Sequence, residues 1–133
     1  MGQKLDSRRT LPPDDSSIVV DAEGFSLICE GEAVYRVDWQ RVHQIAGYTR
    51  FRDLKPELCL AFAFSRRQRD QVVVHNDVPG WDRLCAALAV SFPGADPDWR
   101  SKAAHDVDAP ESYAPVGSVV PIFTVNPTIV WAK

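Results

Sequence analysis

An α+β fold, mostly β, is what this sequence predicts: a bent antiparallel sheet or small barrel capped by one amphipathic helix. Three observations predict it. Short runs of alternating apolar residues recur between polar turns from Ile18 to His75. One stretch then changes period, placing Trp81, Leu84, Cys85, Leu88 and Phe92 on one helical stripe. The chain has 133 residues, 45% of them hydrophobic, which suits one domain around one core.

Residues 1–16 mix charges with a Pro-Pro pair and almost no apolar side chains. They read as a disordered or loosely attached tail, leaving 17–133 as the single domain. Ile18-Val19-Val20 leads through the tight-turn composition Asp21-Ala22-Glu23-Gly24 into Phe25-Ser26-Leu27-Ile28-Cys29. After Glu30-Gly31-Glu32 comes Val34 to Trp39, where Tyr35, Val37 and Trp39 share a phase. Three strands with two short turns read as an antiparallel meander.

Val42 to Phe51 is the next strand, with Gly47 marking a bulge or bend. Leu58, Leu60, Phe62 and Phe64 alternate with Cys59, Ala61 and Ala63, so one face is large and the other small. Such a strand is covered on both sides. The tip from Ser65 to Asp70 is polar, and Gln71 to His75 follows as a strand around Val72, Val73 and Val74.

The helix spans about 78–92, with Asp77 as its cap and Pro79 in its first turn, and stops at Pro93-Gly94. Asp96 to Arg100 looks like the start of a short second helix. About 101–120 reads as a long loop. Ile122 to Trp131 is apolar again, and its Pro127 assigns it to an edge strand or a bulge.

Strands first and a capping helix afterwards is the order of pleckstrin-homology-like barrels, although such a barrel does not require the forty residues that follow here. A run of spaced features links the chain to a known group. They are Val37-Asp38-Trp39-Gln40-Arg41-Val42, Val78-Pro79-Gly80-Trp81, Phe92-Pro93-Gly94, Pro97-Asp98-Trp99, Pro121-Ile122-Phe123, Asn126, Thr128 and Val130-Trp131. Over residues 37–133 this set resembles a group of small uncharacterised bacterial proteins. The resemblance implies a pleckstrin-homology-like fold, with Ser101 to Val120 as an insertion, and it implies no known activity.

The formal charge of −3 is mild, so the whole molecule is neither a general nucleic-acid binder nor an acidic decoy. No run approaches the ~18 apolar residues of a membrane span. The polar stretch from Met1 to Ser17 lacks the apolar core of a signal peptide. Met1-Gly2 opens like a myristoylation signal, but Asp6 stands where Ser or Thr is required. Cys29, Cys59 and Cys85 are odd in number and lie in apolar runs, as expected of buried thiols in a cytoplasmic protein.

Catalytic motifs are missing: there is no G-x-S-x-G, P-loop, dinucleotide glycine pattern or H-E-x-x-H. His43, His75 and His105 are scattered. His105-Asp106-Val107-Asp108 and His75-Asn76-Asp77 each offer metal-ligand chemistry, but neither has a second cluster in sequence to complete it. Cys59 with His75 would make a nucleophile pair across neighbouring strands, without an evident orienting group or oxyanion hole. No enzyme, cofactor or resident metal is expected.

The charge distribution is more informative. Residues 50–69 hold Arg50, Arg52, Lys55, Arg66, Arg67 and Arg69 against Asp53 and Glu57, while the rest of the chain is acidic. Arg50, Arg52, Arg66, Arg67 and Arg69 are therefore the candidate anion or partner patch. They form one patch only if Arg50 and Arg52 lie well back along their own strand. The bland alternative is a solvated hairpin tip. Among the tryptophans, Trp39 and Trp81 are expected in the core, and Trp99 and Trp131 to pack on the body rather than to anchor an interface.

Two functions follow as expectations. The first is a non-catalytic, cytoplasmic protein-binding or regulatory module, of the immunity type among others, with another protein as partner and self-association open. The second is an anion-binding module for a phospholipid headgroup or nucleic acid.

Overall fold

The computed structural model describes residues 9–10, 16–52, 55–65, 70–104 and 124–133. Among the described residues, eight strands form two separate sheets. β1 (Arg9–Thr10), β7 (Gln71–His75), β6 (Lys55–Ala63), β5 (Gln44–Arg52) and β8 (Thr124–Ala132) lie side by side in that order. β2 (Ser17–Asp21), β3 (Gly24–Cys29) and β4 (Glu32–Asp38) make the smaller sheet. Every pairing is antiparallel except β1 with β7. The α+β, mostly β expectation holds in its open form, as open sheets rather than a closed barrel, since among the described residues no strand of one sheet pairs with the other.

The expected meander is β2-β3-β4. Its inner rows are Ile18–Leu27–Tyr35 and Val20–Phe25–Val37, read across the register. These rows face Ile45, Leu60, Phe62, Val72 and Val74 of the larger sheet in one core. Phe25 and Phe62 meet across it with ring centroids 5.1 Å apart. β6 is closed on both faces as expected: Leu60 and Phe62 lie in this core, and Cys59, Ala61 and Ala63 are equally shut off from water on the other side.

The helix α1 runs Trp81–Ser91, three residues shorter at its start than the spacing suggested. The reason is Gly80, whose φ of 96° breaks the helical path. A side chain there would strike the Ile18 carbonyl, so glycine also lets the chain press onto β2, where the Ile18 amide donates to Pro79 O at 2.7 Å. Asp77 consequently precedes the helix in a turn and does not cap it.

A second helix, α2 (Trp99–Ala103), starts where expected. Trp99 packs against Gly47 of β5, where an added Cβ would stand 2.7 Å from its ring. Trp99 is buried, and Trp131 is half-buried and rests on Phe92 at 4.7 Å, so both tryptophans pack on the body. β8 is an edge strand with Pro127 in its irregular stretch. Within the expected tail, Arg9–Thr10 form the short strand β1 against the edge of β7. Residues 101–103 of the expected 101–120 loop belong to α2 instead, and most of the rest of that loop and of the tail lies outside the described residues. Among the described residues no helix is long and apolar enough to cross a membrane.

Candidate functional site

Strand pairing gathers chemistry at one end of the small-residue face. Arg50 stands opposite Glu57, and Tyr48, Cys59 and His75 form the adjoining row across β5, β6 and β7. Asp77 sits just beyond β7 in the turn that leads to α1. The face is buried along Ala46, Ala61, Ala63 and Val73, so polar groups at its end are drawn partly out of water.

Glu57 is 6% exposed. The Arg50 Nε donates to its Oε1 at 3.0 Å, while its Oε2 lies 3.7 Å from His75 Nδ1. The Asp77 amide donates to the same Nδ1 at 3.3 Å, which places the ring's lone pair on that side. One donor atom from each of Glu57, His75 and Asp77 falls within 4.8 Å of the others.

Cys59 adjoins His75, as a nucleophile pair would require. Burial, however, pushes its thiol up to about 12 against the pull of Arg50, so it stays protonated at neutral pH. Its sulfur lies 3.7 Å from the Glu57 carbonyl, to which the thiol donates.

The basic patch is only partly in view. Arg50 is engaged by Glu57, and a guanidinium so neutralised adds little to long-range attraction for anions. The side chain of Arg52, and all of Arg66, Arg67 and Arg69, lie outside the described residues. Ser65 and Asp70, which flank the latter three, adjoin the Ala63–Gln71 end of the β6–β7 ladder. That end is about 20 Å along β6 from Glu57 and Arg50. His105, Asp106 and Asp108 are likewise outside the described residues.

A second polar arrangement lies on the outer face of the smaller sheet. Its rows are Ser17–Ile28–Ala33, Val19–Ser26–Arg36 and Asp21–Gly24–Asp38. Arg36 holds Asp21 through two bonds of 2.7 and 3.0 Å and Asp38 through one of 2.9 Å. The Arg36 hydrogen bond, with those from the Glu23 and Gly24 amides, lowers the Asp21 carboxyl to about 2. Val19 and Val34 are about half-exposed, at 52% and 49%.

A third feature is a cleft of about 450 Å³ between α1 and α2, lined by Cys85, Leu88, Phe92 and Trp99. Asp82, Asp96 and Arg100 also line it, and burial raises the Cys85 thiol on its wall to about 11.

Glu57 and Arg36 were not singled out by sequence reasoning. Glu57 did leave a signal, since it shares the phase of Cys59, Ala61 and Ala63 at the start of an otherwise apolar strand. Arg36 left none, because its partners come from positions 15 residues away and from a neighbour of its own strand. No protein-family model, curated protein or solved structure matches this chain.

Proposed function

We propose that this chain is a non-catalytic protein-binding module that docks its partner on the outer face of the β2-β3-β4 sheet. The observation that carries this reading is the row Val19–Ser26–Arg36, in which a guanidinium fixed by Asp21 and Asp38 shares the outer face with an exposed valine two strands away. An arginine already held in one geometry loses little entropy on binding, and arginine is enriched at binding hot spots. The sheet edges favour docking on a face over addition of a strand. β4 carries an extra residue, Val34, where Leu27 pairs with Tyr35 and Ile28 with Ala33, and β8 has Pro127.

The test is affinity purification of the tagged chain from its own cells at low and moderate salt. One stoichiometric protein that survives moderate salt and is lost with Val19→Glu or Val34→Glu supports the reading. Both substitutions replace exposed side chains and leave the core intact. A partner retained by both variants overturns it. Recovery of nucleic acid or anionic lipid that washes off with salt would instead favour the anion reading through Arg50, Arg52, Arg66, Arg67 and Arg69.

A further inference from the structure

We propose that Glu57, His75 and Asp77 form a binding site for a divalent transition-metal ion, of which Zn²⁺ is the best match. The donors are one imidazole nitrogen and two carboxylates, a set that suits zinc. Three atoms no more than 4.8 Å apart can all be reached from a point about 2.8 Å away. Zinc bonds to imidazole and carboxylate are ~2.0–2.2 Å long, so shifts of under an ångström at each side chain close the shell. The Glu57 Oε2 to His75 Nδ1 separation of 3.7 Å is near the ~3.3 Å edge of a tetrahedral zinc shell, and the ion would replace the Asp77 amide as the partner of the Nδ1 lone pair.

The surroundings are those of a supported site. Glu57 and His75 project from adjacent, hydrogen-bonded strands, so their spacing is set by the sheet and not by a flexible loop. Arg50 grips Oε1 of Glu57 and turns the other oxygen toward the imidazole, the orienting role that outer groups play around metal ligands. Asp77, exposed in the turn, closes the set from the solvent side and leaves a path by which the ion enters. With three protein ligands, the remaining coordination belongs to water. Cys59 is outside the set, since its thiol is turned to the Glu57 carbonyl.

The experiment is titration of the full chain, freed of metal with a chelator, with Zn²⁺ as the only added ion, followed by calorimetry. One ion per chain is expected for the wild type. Asp77→Asn should weaken binding at least about tenfold, and His75→Asn should abolish it. No stoichiometric uptake by the wild type overturns the proposal. So does an affinity unchanged within about twofold in Asp77→Asn, or binding that is lost with His43→Asn instead. Asp77 is exposed, so that variant decides the matter even if His75→Asn fails to fold.

Discussion

The five-stranded sheet is closed to water on both faces through β5, β6 and β7, whereas the three-stranded sheet keeps one face in solvent. The difference is written in their alternation. β6 alternates large with small, Leu60 and Phe62 against Cys59, Ala61 and Ala63, and all five are buried. β2 and β3 alternate apolar with polar or half-exposed residues, so Val19 and Ser26 face out while Ile18 and Leu27 face in. Burial on both faces also explains where unusual chemistry collects. A carboxylate at the end of a buried face must be paired, and Glu57 is paired with Arg50. On the open face, the Arg36 pairs with Asp21 and Asp38 sit in water and organise a surface rather than hold the fold together.

The sharpest way to break this contrast is to delete a side chain in each sheet. Phe62→Ala is expected to cost about 3–5 kcal/mol in urea unfolding, because a ring fully inside the core leaves a cavity. Val19→Ala on the open face should stay within about 0.5 kcal/mol. Comparable losses at both sites would mean that the outer face is covered.

A smaller effect probes the small-residue face. Ala61→Leu should destabilise by about 1–3 kcal/mol through overpacking, although it adds apolar surface. A neutral result would show a void beside Ala61 and would weaken the picture of a sheet closed on both sides.

The smallest effect lies on the open face. Asp21 titrates near 2 in the folded chain against an ordinary 3.8, so its contribution to stability is present above 3.8 and fades as pH falls toward 2. Arg36→Ala should bring the Asp21 carboxyl back toward 3.8 in an NMR titration and remove that slope. An unchanged Asp21 would show that the turn amides of Glu23 and Gly24, and not Arg36, hold the charge.

Much of the fold was legible. Alternation and apolar runs located β2 to β8 but not β1, period-3.6 spacing located α1, and Pro127 pointed to an edge strand or a bulge for β8 because proline cannot serve a central ladder. The misjudged helix start shows the limit. Asp77 and Pro79 carry good local signals for a helix N-terminus, but Gly80 is required for contact with β2, and that contact cannot be read from neighbours in sequence. The site was less legible still. His75 and Asp77 were visible as ligand types two residues apart, whereas Glu57 joins them only through the β6–β7 register. Arg50 appeared in sequence as part of a positive run, yet the β5–β6 register sets it against Glu57.

By itself the sequence determined the fold class, the order of elements and which side of each strand is apolar, because these depend on local periodicity and turn chemistry. Only the tertiary structure decided that the sheets stay open, that β4 bulges at Val34, and that Glu57, Arg50, His75 and Asp77 share one corner. Those outcomes depend on register between strands, and a shift of a single residue would turn each of these side chains to the opposite face.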